Sequence, residues 1–427
     1  MKTNSVAEFA STGYSGRGSL GKMVDELKRQ LSTSMSFIID TRTMVIENIE
    51  GRLMLAPNPK TPQFYDQVSD WFKRASVPFQ TSDGDTIRNR IPLTKNALQQ
   101  MAERGFNPAA PFTWLVKYTD EWPQRAAEWL TEYMHDTASG DGKKAKRLIR
   151  CLDGSCRAFL SERFRVIDHL PMLKPSLAKA MELGAKPLEA SLSESHMRVK
   201  LVDTSVWDAI EQKRMAGGSG WYAGGLGSQA YLSRVHASSV GALPGGPGTV
   251  HPIISLANSE TGHGRFRVRL GILGAVCFNL ATVEDVIVQM HLGSKQEVGI
   301  LSQETIRMEN EVIVAKALDA IEAAFTEDKF REIVRTMRES QNVAVESPKS
   351  AMENIVKVSE HINDGDLDAM VNYFMRDYDN TVYGVGQAVS RFAQDIDDGD
   401  RASDIESLAG DIMMMRGKVF TAIKQAA

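Results

Sequence analysis

Cysteine is scarce in this sequence: its 427 residues include only Cys151, Cys156 and Cys277. Three cysteines cannot form the disulfide framework of a small secreted domain, and they suit a reducing compartment. The longest apolar run, residues 270–283, is interrupted by two glycines and an asparagine and is shorter than the roughly 20 residues of a membrane span. The first twenty residues are polar and predict no signal peptide. We therefore expect a cytoplasmic protein with no membrane partner.

The motifs that most often mark catalysis are also missing. The glycine-rich stretches contain no G-x-x-x-x-G-K-[ST], and no G-x-G-x-x-G follows a strand. Cys151 and Cys156 have no second Cys or His pair at zinc spacing, and the acidic runs 364–368 and 395–400 lack the ligand spacing of a calcium loop. Serine-hydrolase, zinc-peptidase and deaminase motifs do not occur. We predict a protein that is not an enzyme and uses no cofactor, although dispersed carboxylates leave a metal site open.

Charge is distributed unevenly along the chain, although its formal net value is only −4. Residues 1–140 are neutral overall, residues 141–275 carry +8, and residues 276–427 carry −12. A basic middle followed by an acidic end predicts a polyanionic partner, with a tail that competes for the same surface. The alternative is that the two parts simply dock on each other.

Hydrophobic periodicity divides the chain into three parts. Residues 1–92 are predicted to form an N-terminal arm, disordered over residues 1–20, and a small region of helix and short strands. Residues 93–300 predict an α+β core with an antiparallel sheet, flanking helices and a mobile loop over 217–248, where ten glycines occur. Residues 301–427 are predicted as an acidic, mostly helical region. Within the core, a hairpin is expected around Asp153-Gly154, a typical tight-turn pair, with strands over residues 147–151 and 157–166.

Several predicted strands carry basic residues on one face and apolar residues on the other, because side chains alternate across a strand. An ordinary solvated face mixes charges of both signs, since like charges on neighbouring strands repel. We interpret these faces as a nucleic-acid-binding surface, the alternatives being a chance bias or a face covered by the acidic C-terminal helices. The candidate residues on the strands are Arg157, Arg163, Arg165, Arg198, Lys200, Arg265, Arg267 and Arg269.

Two further groups of residues extend this candidate surface. A basic stretch precedes the hairpin, and the glycine-rich loop contains two aromatic residues that are candidates for stacking on unpaired bases, although loop aromatics also pack locally. These residues are Lys143, Lys144, Lys146, Arg147, Trp221 and Tyr222.

Two segments resemble a known family. They are residues 147–168 (RLIRCLDGSCRAFLSERFRVID) and 256–269 (LANSETGHGRFRVR), the latter followed by Val276, Cys277, Phe278 and Asn279. They are similar to the phage- and plasmid-borne family known as domain of unknown function nine hundred and thirty-two, over about residues 93–290 and part of the C-terminal region. The family usually has Ser/Thr-Asn-Gly after its cysteine, and this chain departs from that pattern. The resemblance implies an α+β fold and a mobile genetic element, often a bacteriophage, in a bacterial host.

These observations lead to a functional hypothesis. A basic sheet with flanking helices and a mobile loop is similar in general plan to single-strand annealing proteins of the RecT and Redβ type, an analogy of architecture only. We predict a homo-oligomer that binds nucleic acid, preferably single-stranded DNA, in replication or recombination. The rival hypothesis is a non-enzymatic oligomeric structural protein, or one that binds a host factor.

Overall fold

The fold is α+β, as predicted, with antiparallel sheets and a helical C-terminal region. The computed structural model describes residues 16–18, 20–103, 122–139, 146–164, 166–203, 250–262, 266–274, 280–290, 303–324, 335–396 and 399–424. The glycine-rich loop and the segment around Cys277 lie outside these residues.

The described residues in the first part of the chain form short strands and four helices. In order they are β1 (Gly16–Gly18), α1 (Leu20–Thr33), β2 (Met35–Asp40), β3 (Met44–Ile49), β4 (Arg52–Pro57), α2 (Pro62–Ala75), β5 (Phe79–Gln80), β6 (Thr86–Ile87), β7 (Ile91–Pro92), α3 (Lys95–Glu103) and α4 (Pro123–Ser139).

The second part contains longer strands followed by helices. In order they are β8 (Lys146–Leu152), β9 (Ser155–Ser161), α5 (His169–Glu182), β10 (Ala185–Leu192), β11 (Met197–Asp203), β12 (Val250–Asn258), β13 (Phe266–Gly274), β14 (Leu280–Met290), α6 (Gln303–Ala324), α7 (Pro348–Val358), α8 (Leu367–Asp377), α9 (Val382–Gln394), α10 (Gly399–Met413) and α11 (Gly417–Lys424).

A six-stranded antiparallel sheet runs in the order β1-β10-β11-β12-β13-β14. Its apolar face, which includes Val199, Leu256 and Val268, shares a hydrophobic core with α1, α5, α6 and the C-terminal helices. A second core lies under two three-stranded sheets, β2-β8-β9 and β3-β4-β7, and includes residues of α2, α3 and α4. Consecutive antiparallel strands account for most of the large sheet, as expected for meander connections.

The predicted hairpin is confirmed, but its second strand is shorter than expected. Asp153 (φ 52°) and Gly154 (φ 78°) both have positive φ, as a two-residue type I′ turn requires, and they connect β8 to β9. The strand β9 ends at Ser161, whereas the prediction extended it to Val166. Arg163 therefore does not share a strand face with Arg157, and Arg165 lies outside the described residues.

Packing joins regions that the sequence prediction separated at residue 92. The strand β1 forms an edge of the six-stranded sheet, Met23 and Leu27 of α1 lie in its core, and β2 pairs with β8 along its length. Residues 16–92 therefore belong to both cores, so the arm predicted for residues 1–20 is wrong at residues 16–18. Likewise, Ala317 and Ile321 of the helical region pack into the core of the large sheet.

The close approach of α9 and α10 depends on Gly386. A Cβ atom there would lie 2.5 Å from Met413 Cγ and 3.2 Å from the Ala409 carbonyl oxygen. We predict that Gly386→Ala lowers the free energy of unfolding by about 1–3 kcal/mol, although alanine is the better helix former. The measurement is urea unfolding.

Gly21 provides the matched control for this substitution. It lies in α1, and a Cβ atom there meets nothing within 4 Å. Gly21→Ala should therefore raise the free energy of unfolding, by up to about 1 kcal/mol. Equal effects of the two substitutions would contradict the packing of α9 against α10.

Candidate nucleic-acid interface

Four cationic residues of β11 and β13 share one face of the large sheet, and we call them the basic face: Arg198, Lys200, Arg267 and Arg269. Arg198 and Lys200 are on β11, and Arg267 and Arg269 are on β13. The strand β12 separates them, with Ala257 opposite both Arg198 and Arg267, and Ser255 opposite both Lys200 and Arg269. Each pair is thus two strand spacings apart, about 10 Å, which keeps the like charges from direct contact.

The helix α10 covers the basic face and places acidic and hydroxyl side chains on it. The two carboxylate oxygens of Glu406 accept bonds of 2.9 and 2.7 Å from Lys200 Nζ, and Ser407 Oγ accepts a 2.7 Å bond from Arg269 Nη1. The Lys200 and Glu406 side chains are 10% and 1% exposed. The charge of Lys200 is therefore neutralised within the chain and shielded from water.

Asp400, in the first turn of α10, contacts both the start of β11 and the turn that precedes it. Arg198 Nη1 donates to its Oδ1, and Ser193 Oγ (2.8 Å) and Ser195 Oγ donate to its Oδ2. His196 Nδ1 lies 3.5 Å from the same Oδ2. Burial alone would raise the pKa of Asp400, but the contacts with His196, Arg198 and Ser195 outweigh it and hold that pKa well below its usual range.

The position of α10 changes the interpretation of the predicted surface. Apolar-in, basic-out alternation is confirmed on β11 and β13, but Arg198, Lys200 and Arg269 face a helix instead of solvent. In the structure, an acidic C-terminal helix covers this face, which is one of the alternatives that the sequence left open. Arg267 is partly exposed, and its buried Nε atom has no hydrogen-bond partner in the described part of the chain.

Arg157 is also buried, in an ionic cluster that the sequence analysis did not predict. Arg150 and Arg157 are each 3% exposed and meet at Glu260, whose Oε2 lies 2.6 Å from Arg150 Nη2 and 3.6 Å from Arg157 Nη1. Asp168 accepts a further bond from Arg150, and the backbone N–H of His169 donates to Glu260 Oε1 at 2.5 Å. This buried cluster joins the β8–β9 hairpin to the start of α5 and to the end of β12.

Two pKa values follow from the burial of this cluster. Burial lowers the pKa of His169 to about 4, so the ring is neutral near pH 7. Burial opposes ionisation of Glu260, but the charge of His169, once acid has protonated it, and the charges of Arg150 and Arg157 outweigh it and lower its pKa to about 2. The Asn258-Ser259-Glu260 segment of the resemblance lies here, and Asn258 Nδ2 lies 3.0 Å from His169 Nδ1.

The candidate residues that stay accessible lie at one end of the hairpin sheet. Lys146 and Arg163 are exposed, and Arg147 is half-buried with its guanidinium 5.9 Å from the centre of the Phe159 ring. Because Arg147 pairs with Ser161, Arg163 lies just beyond the same end of the strand pair. We call these three residues the hairpin end. The other candidates, Lys143, Lys144, Arg165, Trp221, Tyr222 and Arg265, lie outside the described residues.

Cys151 and Cys156 are free, buried thiols whose pKa values burial raises, that of Cys156 to about 12, which makes them unreactive. Within the residues the structure describes, no His, Cys, Asp and Glu side chains are grouped as a metal site would need, and no helix has the length and apolarity to cross a bilayer.

Comparison with protein-family models gives no match for this chain, and comparisons with curated proteins and with solved structures give none either. The family resemblance from the sequence segments therefore stays a prediction.

The Lys200–Glu406 pair should contribute strongly to the docking of α10. We predict that Glu406→Gln lowers the free energy of unfolding by about 3–5 kcal/mol, because it leaves the buried ammonium group without its counter-charge. The double substitution Lys200→Met/Glu406→Met should recover most of this loss, since it removes both charges. Denaturant unfolding measures both effects.

A matched control for Glu406 is Asp404→Asn on the same helix, at a side chain that is 45% exposed. It should change stability by no more than about 0.5 kcal/mol. A small loss for Glu406→Gln, similar to that of the control, would show that α10 does not seal the basic face.

The buried cluster predicts acid sensitivity with a definite sign. His169 has a pKa of about 4 in the folded chain, compared with 6.5 when unfolded, so the unfolded state binds more protons between these values. Stability is therefore retained above pH 6.5 and lost as the pH falls toward 4. From pH 7 to pH 5 we expect about 2 kcal/mol of loss from this residue. Glu260 adds a loss only below pH 4.5.

The measurement is the free energy of unfolding of the wild-type chain and of His169→Gln at pH 7 and pH 5. The variant is less stable at pH 7 because its packing is altered, but it should show a smaller loss on acidification. An identical loss in both proteins would contradict a neutral, buried His169.

Proposed function

We propose that this protein binds single-stranded nucleic acid through its phosphates and acts as a non-enzymatic binding or annealing protein of a mobile genetic element. The observation that supports this most is the arrangement of the basic face. Four cations lie on β11 and β13 with only Ala257 and Ser255 of β12 between them, and the carboxylates that neutralise two of them come from a separate helix. Without α10, the sheet would present the cationic surface that phosphate binding needs.

The hairpin end is the part of this proposed surface that needs no rearrangement. Lys146 and Arg163 are exposed there, and the sequence immediately before β8 adds Lys143 and Lys144. We propose that phosphates first bind at the hairpin end, and that the basic face contributes only when α10 gives way. Binding with little sequence preference is expected, since phosphate contacts carry no base information.

Fluorescence anisotropy with single- and double-stranded oligonucleotides across a salt series tests the proposal. The logarithm of the binding constant should fall with the logarithm of salt concentration, with a slope of several negative units. The double substitution Lys146→Glu/Arg163→Glu should weaken binding and make the slope shallower by about 2, because two phosphate contacts are lost.

The matched control is Lys95→Glu/Lys174→Glu, which makes the same change in net charge at exposed positions of α3 and α5. It should leave the slope unchanged. Absence of binding at low salt, or equal effects of the two double substitutions, would count against the hairpin end as the binding surface. An annealing-rate assay with complementary strands then distinguishes annealing from simple protection.

A second candidate function is a non-enzymatic structural or interaction protein that assembles with itself or with a host factor. The covered basic face favours it, because the Lys200–Glu406 pair is nearly inaccessible and serves as an internal interface. Light scattering alongside the anisotropy experiment separates the two: a defined oligomer that ignores oligonucleotides at low salt supports this candidate.

A further inference from the structure

The turn between β10 and β11 and the start of β11 hold four polar groups that converge on one carboxylate. They are the hydroxyls of Ser193 and Ser195, the imidazole of His196 and the guanidinium of Arg198, and together we call them the anion cradle. The Asp400 carboxylate accepts from both hydroxyls and from Arg198, with the imidazole 3.5 Å away. We propose that the anion cradle is a binding site for a backbone phosphate of nucleic acid, which Asp400 occupies in the unliganded chain.

The chemistry of the donors suits a phosphate. A guanidinium binds phosphate oxygens with two parallel N–H bonds, and charge-assisted bonds of this kind are stronger than neutral ones. Asp400 offers only two oxygens to the four groups, and two hydroxyls and the ring converge on the single oxygen Oδ2. A phosphate has more oxygens to share among the same donors.

The anion cradle is shaped by contacts that do not involve α10. The Ser193 N–H donates to the His196 carbonyl oxygen at 2.8 Å, and Ser193 Oγ accepts from the His196 N–H at 3.0 Å. Arg157 of the buried cluster donates to the Glu194 carbonyl oxygen at 2.7 Å. The donors therefore stay in place when Asp400 leaves, which favours binding by a preformed site.

Asp400 lies at the accessible end of the helix-to-sheet contact. Its side chain is 24% exposed, whereas that of Glu406, further along α10, is 1% exposed. Arg401 donates to the carboxylate of Asp366 and to the His361 carbonyl oxygen, which keeps the backbone of this turn on the helical region. Exchange of Asp400 for a phosphate thus needs only its side chain to move, without separation of the deeper Lys200–Glu406 pair.

Arg267 makes nucleic acid a better occupant than a single small anion. It lies in the same cross-strand row as Arg198, with Ala257 between them, so the two side chains leave the sheet about 10 Å apart. The buried Nε atom of Arg267 has no hydrogen-bond partner within the described residues. A strand with one phosphate in the anion cradle would bring a second phosphate toward Arg267.

The test rests on the proposed function and uses the full-length chain with a fluorescent single-stranded oligonucleotide. Asp400→Asn removes the competing charge and keeps the size of the side chain, so oligonucleotide affinity should rise by about 10-fold, within the usual range of coupling between sites. Asp404→Asn, the same charge change at an exposed position of the same helix, should leave the affinity within about two-fold. Adding Arg198→Gln to Asp400→Asn should abolish the gain.

The outcomes separate the two proposals. If the wild-type chain binds oligonucleotide but Asp400→Asn and Asp404→Asn behave alike, the inference is overturned and the proposed function stands. If neither the wild-type chain nor the variants bind oligonucleotide, the proposed function fails, and calorimetry then measures the binding of inorganic phosphate. Phosphate binding by Asp400→Asn that is lost when Arg198→Gln is added shows that the anion cradle is still an anion site. Binding of poly-glutamate in preference to the oligonucleotide would overturn the assignment to nucleic acid.

A measurement on the wild-type chain covers the case in which Asp400→Asn does not fold. The ring resonances of His196, assigned with His196→Gln, should shift when oligonucleotide is added, because the phosphate replaces Asp400 beside the imidazole. Saturating oligonucleotide binding with unchanged His196 resonances would overturn the inference.

Discussion

The contact of α10 with the basic face is the interaction on which the rest of this structure depends. Side chains repeat about every 100° around a helix, so Asp400 and Ser407 lie on one side of α10, Ile405, Ala409 and Ile412 lie on the opposite side, and Glu406 lies between the two. The apolar side joins the core with α9, and the polar side chains meet three cations of the sheet, Arg198, Lys200 and Arg269. One helix thus holds the helical region and the sheet together.

The chemistry of that contact favours specificity more than raw stability. A buried ion pair loses much of its Coulombic gain to desolvation, and apolar residues of similar volume are often as stable. It does penalise misplacement, because a shift of α10 by one residue would leave Lys200 buried without a counter-charge. In this chain Asp400, Glu406 and Ser407 each meet a different basic residue of the sheet, so the pairs together specify a single position of the helix.

The sequence predicted local features well and long-range partners poorly. The hairpin at Asp153-Gly154 and the alternation on β11 and β13 depend on neighbouring residues, and both are present. The strand β10 was missed because Lys186, Pro187 and Glu189 hide its alternation, and the register shifts between Pro187 and Glu189. Alternation shows which side chains share a face, but it carries no information about what covers that face. The sequence therefore left open whether Arg198, Lys200 and Arg269 face solvent.

Arg157 shows that strand alternation does not distinguish an exposed basic residue from a buried one. It also contacts separate parts of the molecule. Its place beside other basic residues predicted a surface role, yet it is 3% exposed and lies against Glu260. From there it donates to the Glu194 carbonyl oxygen in the turn that holds Asp400. The β8–β9 hairpin, the buried cluster and the β10–β11 turn are thus in direct contact. One buried guanidinium therefore connects the hairpin to the turn that receives α10.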